Sequence, residues 1–337
     1  MWIAKSVMLL MVVVVTGCAS KNVYNDLSPK ALVSSIADSD RSVKQTSENH
    51  TSVKSTSVQP NNNAVPRIGI AFGGGGVRGF IHLGVIKALE EEGINASVVT
   101  GTSAGSIAAA FYASGKSYQD MIDAVNNLSA WGIADVRISN QGILQGEALA
   151  DWVNEQLDSP QIESLPKQLG IAVTDLTDRQ EKLISKGNVG KAVQVSSSIP
   201  GAFIPVEIDG NLYVDGGVLS VVPVNFARSM GADIVIAVDV YCGSNYKDIS
   251  TASRLLYSAF RIQSCRIAES EMANADLLIQ PDFEPSNFAS FDSRDEAIEI
   301  GYQAAKGQLK ALRSLLEKRA HHLRTAYENE TSKPIGL

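Results

Sequence analysis

The chain is 337 residues long, with 45% hydrophobic and 19% charged residues, against a usual charged share of about 25%. That apolar content suffices for a sizeable core and excludes a wholly disordered chain; the length fits one or two domains. The balance of 29 basic to 36 acidic residues, net −7, with no run of Lys or Arg, argues against nucleic acid as a partner.

Lys5 precedes nine apolar residues, Val7 to Val15, and then Thr16-Gly17-Cys18. A bilayer-spanning helix needs roughly 20 apolar residues, so this stretch reads as a secretory signal over residues 1–17. Val15-Thr16-Gly17-Cys18 also resembles the lipobox of bacterial lipoproteins. That resemblance implies cleavage before Cys18, acylation of Cys18, and, with Ala19 in place of a retention aspartate, an anchor on the periplasmic face of the outer membrane. Residues 34–63 hold fifteen Ser, Thr or Asn among thirty, too polar to offset their ordering entropy. Residues 18–65 are therefore expected to be a flexible tether, with an r.m.s. reach of about 40 Å. The two cysteines left, Cys242 and Cys265, are compatible with a disulfide in an oxidising compartment, but spacing alone leaves two buried thiols as the simpler expectation.

From Arg67 the texture changes. Arg67 to Phe72 reads as a buried strand, followed by a glycine run and a helix from Phe80 to Glu92. Ser97 to Thr100 is a second strand, leading into Gly101-Thr102-Ser103-Ala104-Gly105 and an Ala-rich helix, Ile107 to Ala113. Ser117-Tyr-Gln-Asp120 is a capping-box pattern. Gly146 to Leu157 reads as helix, Gly170 to Thr174 and Asp233 to Asp239 as strands, and Tyr257 to Glu269 and a stretch opening at Ser293 as late helices. Apolar strands alternating with helices predict an α/β fold of three layers, α/β/α, around a central, largely parallel sheet. Residues 66–285 are expected to form the domain, and 286–337 a C-terminal helix with a charged tail.

Two glycine motifs carry chemical possibilities on the residues alone. In Gly73-Gly74-Gly75-Gly76-Val77-Arg78-Gly79, backbone N–H groups can turn toward an anion. Gly74 to Gly79 also spells G-x-G-x-x-G, which fits a dinucleotide; the other reading is an oxyanion hole. Gly101 to Gly105 follows a strand and opens a helix, the setting of a nucleophile elbow exposing Ser103. Such a serine needs a base. His50 lies in the tether, His321 and His322 in the charged tail, and His82 reads as a helix residue packed or solvated locally. A carboxylate must then serve directly, and Asp175, Asp215 and Asp239 all sit at strand or turn ends. H-E-x-x-H and paired His/Cys spacings are absent, so neither a metal nor a cofactor is expected.

Gly-Gly-Gly-x-Arg-Gly, Gly-x-Ser-x-Gly and the Asp215-Gly216-Gly217 turn, in this order from about Ile70 to Arg228, resemble the patatin-like phospholipases. Ser196-Ser-Ser-Ile-Pro200, Phe203 and Pro205 are similar to the family too. The resemblance implies a Ser–Asp dyad, with Ser103 as nucleophile and Asp215 as proton acceptor. It implies an oxyanion hole from the backbone of Gly74, Gly75 and Gly76 with Ala104, and supporting roles for Arg78, Gly79, Gly101, Gly105, Gly216 and Gly217. The substrate implied is a membrane phospholipid or lysophospholipid ester. A lipid- or anion-binding lipoprotein without catalysis and a dinucleotide-dependent oxidoreductase are the competing readings. One departure stands out: family members often carry Asn or Asp shortly after Asp-Gly-Gly, where this chain has Ser220-Val221-Val222.

Overall fold

The computed structural model describes residues 65–129, 132–244, 249–285 and 291–331. The expected signal, Cys18, most of the tether and His50 lie outside them. Among the described residues, eight strands form one sheet in the order β5-β6-β3-β2-β1-β7-β8, with β4 also paired to β3. The strands are β1 (Ile68–Phe72), β2 (Val98–Thr102), β3 (Gln168–Asp175), β4 (Gln180–Ile184), β5 (Val206–Ile208), β6 (Asn211–Asp215), β7 (Ile234–Val238) and β8 (Leu277–Ile279).

The period-2 side-chain alternation of each strand divides the core between two faces. Ile70, Phe72, Val99, Ile236 and Val238 point to one face. They are covered by α1 (Phe80–Glu91), α2 (Ala104–Ala113), α3 (Tyr118–Asn126), α4 (Glu147–Glu155), α5 (Val189–Ser196) and the long α8 (Arg294–Thr331). Ala71, Val98, Val235 and Ala237 point to the other, under α6 (Val224–Ser229) and α7 (Ala252–Met272). Helices on both faces make the three layers expected. The short side chains of Ala71 and Ala237 allow α6 and the segment around Val221 and Val222 to approach the sheet closely.

The sheet is more mixed than the pattern suggested. Strands β3-β2-β1-β7-β8 are parallel, but β4 and β6 pair antiparallel with β3, and β5 with β6. Polar Gln180-Glu-Lys182 hides β4. The β5–β6 hairpin turns at Asp209-Gly210, with φ of 51° and 84°, the two positive values that a type I′ turn needs; that Asp-Gly pair was the overlooked signal.

Two further corrections concern the late segments. Cys242 and Cys265 form a disulfide with Cα atoms 5.5 Å apart, so they are not free thiols; the bond ties the loop after β7 to α7. The residues read as a charged tail belong to α8, which packs along α1. At that crossing a Cβ on Gly84 would lie 1.9 Å from the Ile298 carbonyl oxygen, and one on Gly301 2.1 Å from that of Ile81. Lys306 and Arg313 pair with Glu92, and Arg319 with Asp233. The capping box at Ser117 and Asp120 forms as read. Among the described residues no helix is long and apolar enough to cross a membrane.

Candidate active site

Strand β2 runs parallel to β3 and ends with Thr102 opposite Ala172. Strand β6 runs the other way and ends with Asp215 opposite the next residue, Val173. The two strands thus meet end to end along one edge of β3, which brings the residue after β2, Ser103, to the last residue of β6. Gly216 completes the junction: a Cβ there would sit 2.3 Å from the Ala172 carbonyl oxygen.

Ser103 has φ 51° and ψ −125°, a strained conformation for a residue with a side chain, costing about 1–3 kcal/mol. Several contacts hold it there. Its N–H donates to Ser196 Oγ at 2.8 Å, and Ser196 Oγ donates to the Ala172 carbonyl at 2.7 Å. Its own carbonyl accepts from the Ser106 hydroxyl at 2.6 Å and the Ser106 N–H at 2.8 Å. Strand and helix approach closely at this turn, since a Cβ on Gly101 would lie 2.4 Å from Gly105 O and one on Gly105 2.2 Å from Phe72 O. The bridging role of Ser196 escaped the sequence reading, although its Ser-Ser-Ser run was noticed.

Asp215 is 6% exposed. Burial pushes its carboxyl up to about 6, against the opposing pull of the nearby Ser103 hydroxyl and of a hydrogen bond from the Gly217 N–H; the latter spans 2.7 Å. The competing carboxylates are occupied elsewhere. Asp239 Oδ1 accepts the N–H groups of Tyr241 and Cys242, and its Oδ2 the Gln280 amide. Asp175 braces its own turn through the N–H groups of Thr177 and Asp178, and takes the Asn211 amide.

The glycine loop lies against the elbow. A Cβ on Gly74 would be 3.2 Å from Ser103 Cβ, and one on Gly79 2.8 Å from Ala104 Cβ. The N–H of Gly74 donates to Val221 O at 2.9 Å, which removes Gly74 from the expected oxyanion donors; its contribution is the space it leaves beside Ser103. Among the described residues the N–H groups of Gly75, Gly76 and Ala104 have no protein acceptor. Gly76 adopts φ 59° and opens a 3₁₀ turn, Gly76–Gly79, and Ala104 begins α2, where the helix dipole favours negative charge.

Arg78 braces this loop from behind. It is 1% exposed, forms an ion pair with Glu284, contacts the carbonyls of Gly75 and Phe283 and the Tyr257 hydroxyl, and lies over the Tyr241 ring. Fully buried His82 has Nε2 2.8 Å from Gly73 O, and desolvation drives its pKa down to about 4. The neutral ring therefore donates to that carbonyl and fixes the loop's first residue. Among the described residues no group of His, Cys, Asp and Glu could hold a metal ion.

Residues 70–228 match the model of the patatin-like phospholipase family. An uncharacterized NTE family protein of Mycobacterium tuberculosis is 33% identical over 177 residues, 52% of this chain and 49% of the relative. Lysophospholipase nte1 of Aspergillus fumigatus is 31% identical over 179 residues, 51% of this chain and 12% of the relative. This chain thus spans about half the length of the first of these relatives and far less of the second. Among solved structures, VipD of Legionella pneumophila aligns over 74% of this chain and 67% of its own at 16% identity, with a TM-score of 0.44. The glycine loop, elbow and Asp-Gly-Gly turn all lie inside residues 70–228, so the segment that carries the site is the one similar to the patatin-like phospholipases.

Proposed function

We propose that this chain is a serine lipid acyl hydrolase that cleaves ester bonds of phospholipids or lysophospholipids through an acyl-enzyme. The observation that carries this reading is the placing of Ser103, on its strained turn at the end of β2, beside the buried Asp215 that ends β6. Asp215 takes the hydroxyl proton as Ser103 Oγ attacks the ester carbonyl. The carbonyl oxygen becomes an oxyanion facing the N–H groups of Gly75, Gly76 and Ala104. Collapse breaks the ester C–O bond, and the departing alcohol takes the proton from Asp215. Water then attacks the acyl-serine, giving its proton to Asp215, which returns it to Ser103 as the fatty acid leaves.

Packing of the glycine loop onto the elbow favours this chemistry over dinucleotide binding. Relatives named lysophospholipase support a lysophospholipid substrate. The rim beside Asp215 suits a lipid: Asp215 N–H donates to Ser198 O, and the next residue, Ile199, is exposed. Ile199 O accepts from Phe203 N–H, Phe203 bridges to Leu144, and Leu144 to Val136, so that Val136 and Ile138 extend the same exposed apolar rim. An acylated Cys18 would hold the enzyme at the periplasmic face of the outer membrane, supplying proximity that a net-acidic surface does not.

Purified wild type and Ser103→Ala test the reading through a fluorophosphonate probe and mass spectrometry of added phosphatidylcholine and lysophosphatidylcholine. Labelling and fatty-acid release are expected from wild type alone. An unlabelled wild type, or a fully active Ser103→Ala, would falsify it, and the first result would favour a lipid-binding lipoprotein. Cys18→Ser is expected to leave the outer-membrane fraction.

A further inference from the structure

Glu271, near the end of α7, is 5% exposed, and among the described residues it has no cationic partner. It is bound instead by donors from one short segment. Its Oε2 accepts the Ser220 hydroxyl at 2.9 Å, and its Oε1 the Asn225 N–H at 3.1 Å. This is the segment where Ser220-Val221-Val222 departs from the family pattern.

Ser220 is a junction. Its N–H donates to Gly216 O at 2.8 Å, and its carbonyl accepts the Thr102 hydroxyl, also at 2.8 Å. Thr102 precedes Ser103, and Gly216 follows Asp215. One serine therefore links the strand end bearing the hydroxyl to the turn bearing the carboxylate, and Glu271 holds that serine. We propose that Glu271 is a positioning residue for the Ser103–Asp215 pair, acting through Ser220; this rests on the hydrolase reading above.

The chemistry of the donors explains why a carboxylate stands there. Two donors converge on it, one to each oxygen, and an ionised carboxylate offers two accepting oxygens and no hydrogen. An amide accepts on one side only and would reverse or lose one of the two contacts, and an apolar side chain would leave the Ser220 hydroxyl and the Asn225 N–H without this acceptor. The charged group facing Glu271 is Glu181 on β4, whose repulsion adds to the dominant effect of burial; α6 contributes the Asn225 N–H and the segment before it the Ser220 hydroxyl. Together these push Glu271 up to about 7. Protonation removes an acceptor, so the grip on Ser220 weakens on the acid side.

The test compares wild type, Glu271→Gln, Ser220→Ala and the double variant on 4-nitrophenyl butyrate, with active sites counted by fluorophosphonate. Per active site, each single change is expected to lower kcat by roughly ten- to a hundredfold with KM within about twofold, as for misplaced reacting groups. The double variant should be no worse than the worse single one, since both act on one link. The acid limb of kcat/KM should reflect two protons in wild type and one in Glu271→Gln. A purely structural role would reduce the labelled fraction while leaving kcat per labelled site and the limb unchanged, and that result overturns the proposal. So does a double variant whose losses multiply. If Glu271→Gln fails to fold, Ser220→Ala decides, since it keeps the Asn225 N–H contact to Glu271, and an unchanged kcat there overturns the proposal. A wild type that neither turns over nor labels brings down the hydrolase reading itself, whereas an active wild type with unaffected variants brings down only the role of Glu271.

Discussion

Asp215 ends β6 beside Ser103, which follows β2, whereas Asp239, just past the core strand β7, has both carboxylate oxygens committed to its own loop and Gln280. Exchanging each for asparagine separates the two roles. Asp215→Asn is expected to lower kcat by about a thousandfold or more while keeping the fold. Asp239→Asn is expected to cost about 1–3 kcal/mol of stability through a mispaired buried amide, with a much smaller loss of kcat. Urea unfolding and esterase kinetics on both variants check this; the reverse pattern would make Asp239 the base.

The same carboxylate sets a pH dependence with a definite sign. Asp215 accepts a proton only when ionised, so kcat/KM should rise through about pH 6. Its folded pKa lies above the ordinary value of 3.8, so the native state binds the proton more tightly than the unfolded chain. Its contribution to stability is full below about pH 4 and lost as pH rises through about 6. Asp215→Asn does not titrate and should be about 2–3 kcal/mol more stable than wild type at pH 8, a gap that closes near pH 4. Glu271 is present in both proteins and cancels from the difference. Equal stability at pH 8 would contradict the burial cost assigned to Asp215.

Two glycines beside the serine should respond differently to one methyl group. At Gly105 the added carbon would lie 2.2 Å from Phe72 O; Gly105→Ala should destabilise by roughly 3 kcal/mol or more, or prevent folding. At Gly76 nothing lies within 4 Å, but φ is +59°. Gly76→Ala should fold at a cost of about 1 kcal/mol and lose roughly ten- to a hundredfold in kcat as its N–H turns away. Thermal melts paired with kinetics distinguish the two.

Reduction should be felt as lost stability. The Cys242–Cys265 bridge spans 23 residues, for which chain entropy gives about 3 kcal/mol. Urea unfolding with and without dithiothreitol, or of C242S/C265S, should show a loss of that order. An unchanged midpoint would mean the bond contributes nothing to the folded protein.

Much of this was legible in the sequence because it rests on local chemistry. Gly101 to Gly105 announced a tight strand-to-helix turn, and the apolar runs around Ile70 and Ile236 announced buried strands. What escaped depended on contacts distant in the chain. Local chemistry left Asp239 competing with Asp215, which only the family resemblance singled out, because β6 pairing just past β2 is a property of the sheet. It offered Gly74 as an amide donor, because the claim of Val221 O on that N–H depends on how another loop returns. Glu271 showed no signal beyond its residue type, and the run beginning at Ser196 gave no hint that its hydroxyl bridges Ser103 to Ala172. The disulfide was undecidable from spacing, since it depends on where α7 docks.

The seam between Gly84 and Gly301 reaches further than packing. Helix α1 begins at Phe80, directly after the 3₁₀ turn that starts at Gly76, so whatever clamps α1 also steadies the root of that turn. The first turns of α8 therefore work as a splint on the glycine loop, lending it stiffness from a distance. Loosening α8 around Gly301 would reach the Gly76 turn through α1 without touching the strands.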